Sequence, residues 1–421
     1  MAPHSTITAP ARSLHLFEGF GVELEYMIVD SRTLSVMPVS DRILEAAAGS
    51  IVSEVDLGEI SWSNELVLHV IELKTNGPAG SLEDLPWLFQ RHVARINELL
   101  EPLGGKLMPG GMHPWMHPGT ETRLWPHEFN AVYTTYNRIF ECRGHGWSNL
   151  QSLHLNLPFS GDEEFGRLHA AIRLLLPILP ALAASSPVYD GQANGILDNR
   201  LEMYRRNQAR IPSITGEIIP EPIFDEASYR QEILERIYRD VAPFDPEGTI
   251  QHEWLNSRGA IARFERDTIE IRLLDVQECP LADLAISWLI VEVLKKLTGE
   301  HWLPYAEQRR WPTDDLAPLL LSCTQKGENA DLGADYLAVF QRKSEAIRTA
   351  GDLWNSLFDE IRTECPERVN PWRNALKIIL SQGTLATRIL KGLEHHTLGE
   401  VYASLSDSLT EGRLFDPCRS I

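Results

Sequence analysis

An α+β domain built on one largely antiparallel sheet, with helices packed around it, is the fold this sequence predicts. Three observations carry that reading. Four segments read as strands in which polar pairs alternate with apolar residues, and helical segments of uneven length separate them without a regular strand–helix rhythm. From about Pro304 onward the chain reads as helical and carries no strand signal. Neither a repeat of fixed period nor a linker rich in Pro, Gly and Ser divides it.

The first strand is Phe20 to Asp30, FGVELEYMIVD, where aromatic and β-branched residues cluster around two glutamates at alternating positions. Strand patterns recur at Val67 to Thr75, Ser152 to Pro158 and Thr268 to Val276. The clearest helix opens at Ser81, with Asp84 three residues on as its capping partner. It runs through Leu85, Leu88, Val93, Ile96, Leu99 and Leu103 and closes at Gly104. Further helices are predicted at Glu163 to Ala184, Ser228 to Val241, Leu281 to Leu297 and Ala334 to Phe358. The stretch Leu168 to Pro187 is the most apolar. His169, Arg173, Pro177 and Pro180 interrupt it well short of the ~20 clean residues of a membrane span, so it reads as a buried helix.

At roughly 150 residues per domain, 421 residues suggest two or three domains, although large single-core enzymes exceed that ratio routinely. The division expected here is a flexible lead-in over 1–16, a catalytic core over 17–300, and a helical part over 301–421 packed on the same domain. The opening MAPHSTITAPARS lacks the apolar run of a secretory signal. Asp and Glu number 59 against 39 Lys and Arg, a formal net charge of -20, and a field of that sign repels nucleic-acid backbone and anionic lipid. Nucleic acid and membrane are therefore excluded as partners, and small-molecule substrates are expected. An anionic substrate then needs placed arginines or a divalent cation. Five scattered cysteines without a CxxC pair indicate neither a disulfide framework nor a zinc knuckle, and a reducing cytoplasm is the natural compartment. The sequence leaves a homo-oligomer open.

In a strand, successive side chains point to opposite faces. Glu23 and Glu25 therefore share one face, as do Glu72 and Lys74, His154 and Asn156, and Glu270 and Arg272, each pair opposite apolar neighbours. A solvent-exposed sheet face explains any one of these strands. Four together, rich in carboxylates with a His and an Asn instead of Lys, Thr and Ser, point to a site. Oxygen and imidazole donors of this kind suit Mg²⁺ or Mn²⁺, and packed carboxylates without a cation would raise one another's pKa. Glu65 lies seven residues before Glu72, on the opposite face of a regular strand, so a bulge or turn is needed to bring it in. Ligand and surface residue remain equal readings for it.

A second cluster is DNRLEMYRRNQAR, with Arg200, Arg205, Arg206 and Arg210 in an acidic chain. It reads either as a solvated helix face with i, i+4 charge pairs or as a fork-shaped clamp for carboxylate or phosphate. Other features are set aside. Gly19-x-Gly21 has Leu24 where a dinucleotide fingerprint needs glycine; Pro114 and Pro118 put His113 and His117 in a turn; Cys142 and Cys279 read as small buried residues.

In chain order the blocks GVELE at Gly21, VIELKT at Val70, PGGMHP at Pro109, SLHLNLP at Ser152, ASSP at Ala184, DNRLEMYR at Asp198 and TIEIRLLD at Thr268 resemble the glutamate-cysteine ligase family, in particular its second branch of bacterial carboxylate-amine ligases. The resemblance covers roughly Phe17 to Leu297. It implies the glutamine synthetase/guanidino kinase-like catalytic domain, an antiparallel sheet curved into a funnel whose polar face holds Mg²⁺ and ATP. By the same resemblance Glu23, Glu25, Glu72, His154 and Glu270 are metal ligands, and Arg272, Arg205 and Glu270 are catalytic. Arg200, Arg205 and Asn156 would bind substrate. Where many members carry a second glutamate four residues before the position of Glu72, this chain has Leu68, and Glu65 is the candidate replacement.

The expected function is an ATP-dependent ligase joining a carboxylate, of γ-glutamyl type, to an amine through an acyl-phosphate. Mg²⁺ or Mn²⁺ is the expected cofactor and ATP the co-substrate. A metal-dependent amidohydrolase without nucleotide and a non-catalytic binding homologue are the alternatives, and ATP consumption separates them. The amine acceptor is not readable from the sequence.

Overall fold

The structure is a computed structural model that describes residues 13–343 and 345–418; most of the expected lead-in lies outside the described residues. Eight strands form the main sheet: β1 (Gly21–Asp30), β2 (Glu54–Asp56), β3 (Ile60–Asn64), β4 (Val70–Thr75), β5 (Gly105–Met108), β6 (Ser152–Pro158), then, past a small ribbon of β7 (Val188–Tyr189) with β8 (Gln192–Ala193), β9 (Ala260–Arg263) and β10 (Thr268–Asp275). The order is β2-β3-β4-β1-β6-β10-β9, with β5 also on β1, and every pairing is antiparallel.

The alternation read in the sequence explains the layering. Val22, Leu24, Tyr26, Leu153, Leu155, Leu157, Ile269 and Ile271 all turn to one side and are buried there. The helix Pro280–Thr298 covers that side with the helices Leu85–Leu100 and Gly161–Leu175 beside it. Pro280–Thr298 is apolar almost all round, as a fully enclosed helix must be. Helices beyond residue 300 join the same core through Leu316, Trp354, Leu357 and Trp372. Among the described residues no helix is long and apolar enough to cross a membrane.

Several boundaries differ from the sequence expectation, each for a local reason. The strand expected from Val67 begins at Val70, because Val67 bridges Leu124 instead. The helix expected from Ser81 begins at Leu85. The Ser81 hydroxyl accepts from Glu83 N in a local turn, Asp84 makes no capping bond, and Pro86 sets the first turn. The helix over Glu163 to Ala184 breaks at Leu176–Ile178, where Pro177 has no N–H to continue the ladder. The one over Ala334 to Phe358 is two helices, Ala334–Val339 and Ala350–Glu364, the second opened by a capping box of Thr349 and Asp352. Strands β2, β3, β5 and β9, of three to five residues, are too short to show a period.

Three buried histidines tie loops to this frame as neutral donors. His69 Nε2 donates to Ser148 O, His113 Nε2 to Leu34 O and His169 Nδ1 to Ile223 O, at 2.8, 2.8 and 2.7 Å. Burial lowers their pKa to about 4, about 4 and about 3. The unfolded chain then binds protons that the folded chain refuses. Stability is complete above pH 6.5 and is lost as the pH falls below it, by about 3 kcal/mol each for His69 and His113 at pH 4, while the loss from His169 continues to lower pH. Urea midpoints should fall steeply between pH 6.5 and 4.5; a flat or rising series would contradict neutral burial.

Candidate active site on the polar face of the sheet

Antiparallel register converts the alternation within each strand into a patch across strands. Glu23 lies opposite Lys74 on β4 and His154 on β6; Glu25 lies opposite Glu72; Glu270 lies opposite Asn156. Residues directly opposite in such pairs stand about 5 Å apart at Cβ, so the side chains must interact. His154 Nδ1 donates to Glu23 Oε2 at 2.8 Å, and Asn156 Nδ2 donates to Glu23 Oε1 at 3.1 Å. Ser152 donates to Glu25 Oε2 from its backbone N (2.7 Å) and its hydroxyl (2.9 Å). Arg263 Nη1 reaches Glu270 Oε2 at 3.0 Å and Arg272 Nε reaches Oε1 at 2.9 Å, while Ser63 donates to Glu72.

The turn between β3 and β4 supplies what a regular strand could not. Glu65 follows directly after β3 and turns inward, so that oxygens of Glu25, Glu65 and Glu72 lie within 4.8 Å of one another. Ligand atoms of Glu23, Glu72 and His154 meet the same limit.

The charges in this patch divide sharply. Burial opposes ionisation of Glu23, but the hydrogen bond and charge of His154, with Lys74 and Arg272, hold its carboxyl down at about 2. Burial likewise disfavours the imidazolium, yet Glu23 raises the His154 pKa above its usual value. Glu270, though buried, stays low because of Arg272. Glu72 is pushed up to about 7, first by burial and then by Glu23. Glu65 is pushed well above the carboxylate range by burial and by Glu25 and Glu72. Lys74 is bound to Glu72 at 3.3 Å and Glu54 at 3.0 Å. The donor set therefore fits a divalent cation: hard oxygens with one imidazole, packed closely enough that two of them resist ionising without added positive charge.

A cavity of about 450 Å³ opens above these carboxylates, walled on its other side by Tyr133, Tyr136, Trp147 and Trp254. Arg200, 2% exposed on the helix Asn199–Tyr204, lines it. Its Nη2 donates to Arg272 O at 2.9 Å, while Nε and Nη1 have no hydrogen-bond partner among the described residues. Arg205 lies elsewhere. It pairs with Glu202 of its own helix, as Arg206 also does, and does not line the cavity. A second cavity of about 580 Å³ lies at the other end of the strands, beside Gly19, Gly77, Pro78 and Asn156. It shares Glu23, Lys74 and Arg266 with the first. Sequence reasoning passed over Arg263, because β9 shows no period, and Arg266, in the loop after it. The aromatic wall comes from two neighbouring helices, Asn130–Phe140 and His145–Ser148, and a distant 3₁₀ turn, Glu253–Leu255, so no local signal marks it. His113 is locked to Leu34 O, and Cys142 and Cys279 are buried.

Solved structures of ligases share this arrangement of antiparallel sheet and helices. A bifunctional glutathione synthetase of Pasteurella multocida superposes with a TM-score of 0.58 at 14% identity, over 94% of this chain and 52% of that one, so the chain spans about half its length. A glutamate-cysteine ligase of Francisella tularensis, solved in complex with AMP, superposes with a TM-score of 0.56 at 13% identity, over 94% and 89%. At such identities the likeness is one of fold. An uncharacterized protein of Archaeoglobus fulgidus is 32% identical over 390 residues, 93% of this chain and 97% of its own. Residues 19–345 match glutamate-cysteine ligase family 2, and the chain belongs to that family.

Replacing Glu65 by Gln mimics the neutral acid that burial already favours, so Glu65→Gln should keep the wild-type melting temperature. In wild type, Mn²⁺ at ~100 times its Kd should add about 2.7 kcal/mol of stability, reversed by EDTA. Glu65→Gln should lose most of that gain, and an undiminished Mn²⁺ shift in both Glu65→Gln and Glu72→Gln would remove the cation from this patch.

Proposed function

We propose that the protein is an ATP-dependent ligase that joins a carboxylate, of γ-glutamyl type, to an amine through an acyl-phosphate. Family membership supports the coarser statement, a ligase of the glutamate-cysteine ligase type. The observation that carries the finer one is the wall of Glu23, Lys74 and Arg266 common to both cavities. A nucleotide in the 580 Å³ cavity would direct its terminal phosphate across that wall into the carboxylate-binding cavity.

Carboxylates are poor electrophiles, and transfer of a phosphoryl group supplies a leaving group. The acid oxygen attacks the γ-phosphorus and ADP departs. The amine then attacks the acyl carbon and inorganic phosphate departs. Little covalent chemistry falls to the protein, whose task is positioning and charge neutralisation. Arg200, buried with unused donors, binds the acid. Lys74 and Arg266 meet phosphate oxygens at the shared wall. Arg272 and Arg263, preorganised on Glu270, stabilise negative charge on the transferring group. Glu23, Glu25, Glu65, Glu72, His154 and Glu270 would hold Mg²⁺ or Mn²⁺, which when bound neutralises phosphate charge. The aromatic wall excludes water, which would otherwise hydrolyse the activated acid.

Hydroxylamine is a small nucleophile that traps an acyl-phosphate whatever the natural amine. With L-glutamate and MgATP, wild type should form γ-glutamyl hydroxamate with matching ADP. Glu25→Gln and Glu270→Gln should reduce it by at least ~100-fold, as removal of preorganised charge does. Hydroxamate formed without ATP would favour the amidohydrolase. ADP and hydroxamate at wild-type rates in both variants would overturn the assignment of the polar face.

Arg200→Lys separates a fork-shaped clamp from a point charge. Lysine cannot reproduce paired donors, so KM for the acid should rise about tenfold or more at little change in stability. Arg205→Lys, outside the cavity, should stay near wild type.

A further inference from the structure

Four of the sequence blocks meet at a residue to which the mechanism gives no part. Asp275 ends β10 and is fully buried. The ASSP segment wraps its Oδ2, which accepts from Ser185 N at 2.8 Å, Ser186 Oγ at 2.7 Å and Ser185 Oγ at 3.3 Å. Gly111 of PGGMHP presses against it: a Cβ there would lie 2.4 Å from the Asp275 carboxyl carbon, so no other residue fits. The fourth block brings Arg200, whose Nη1 is 3.7 Å from Asp275 Oδ1 and whose backbone N donates to Ser186 Oγ at 3.0 Å.

Asp275 Oδ1 makes no hydrogen bond of its own among the described residues. A buried guanidinium needs a counter-charge, and Asp275 is the carboxylate paired with Arg200. Asp198, which caps the helix by accepting from Leu201 N at 2.8 Å, is pushed well above the usual carboxylate range by burial and by Asp275. Burial raises Asp275 as well, and the Arg200 charge with the Ser185 and Ser186 donors opposes that rise. The Arg200 side chain is thus held at Nη2 by Arg272 O and paired at Nη1 with Asp275, which leaves Nε without a hydrogen-bond partner among the described residues.

We propose that Asp275, seated by Ser185 and Ser186 under Gly111, is a positioning residue that orients Arg200 to grip the carboxylate of the acid substrate. The inference rests on the reading of Arg200 as the acid clamp.

The test uses Asp275→Asn, which keeps shape and removes charge, and Ser186→Ala, which keeps the carboxylate but removes one anchor and the bond to Arg200 N. Both are compared with wild type by melting temperature and by KM for L-glutamate and for MgATP in the hydroxamate assay. Loss of a charge-assisted contact predicts a rise of about tenfold in KM for glutamate in Asp275→Asn and a smaller rise in Ser186→Ala, with KM for MgATP unchanged. A structural role would instead lower melting temperature and kcat at constant KM for glutamate, and that result overturns the proposal. If Asp275→Asn does not fold, Ser186→Ala decides by the same split. A wild type that binds L-glutamate in calorimetry without turnover ends the ligase reading alone, and Kd then replaces KM; equal Kd in all three proteins overturns the proposal. A wild type that neither binds nor turns over glutamate removes both.

Discussion

Crowding of carboxylates on one face of an antiparallel sheet is the constraint on which the site depends. Glu23, Glu25, Glu72 and Glu270 come from three strands, and Glu65 from the turn beside them, and register leaves them no room to separate. Some are neutralised internally. His154 and Lys74 sit against Glu23 and Glu72, and Arg263 and Arg272 against Glu270. The Glu25, Glu65 and Glu72 corner stays short of positive charge, and there the drive to recruit a cation is greatest.

Such a face is costly to build unless the rest of the sheet is rigid. Its opposite side supplies the rigidity through Val22, Leu24, Leu153, Leu155 and Ile271 packed under the helix Pro280–Thr298. Three residues past Asp275, Glu278 forms a fully buried ion pair with Arg388, which also donates to Phe415 O at 3.0 Å. The last helices are thereby clamped to the end of β10, close to the seat of Arg200. Removing either partner would leave an uncompensated buried charge, a change that costs several kcal/mol.

Much of this was legible. Alternation in β1, β4, β6 and β10 marked both the core side and the acidic side, because a period of two is a property of the backbone and needs no knowledge of neighbours. The helix breaks were partly written too. Pro177 marks the interruption after Leu175, and Thr349 with Asp352 spells a capping box inside a stretch read as one continuous helix. The short strands β3 and β9 were not legible, and Arg263 was missed with them. Arg200 and Arg205 share a short helix and a residue type, yet one is buried against the cavity and the other pairs with Glu202. A spacing of five on a short helix turns their side chains in different directions, and nothing local says which direction is inward.

The sequence by itself determined the fold class, the polar pairs and their chemistry, since these follow from strand periodicity and side-chain type. Tertiary structure decided the rest: which strands lie side by side, that Glu65 enters through a turn, that Arg200 faces a cavity, and that Gly111, Ser185, Ser186 and Asp275 converge. Those facts depend on contacts between residues as many as 164 positions apart, from Gly111 to Asp275. Such contacts are set by the packing of the whole chain, and no local pattern encodes them.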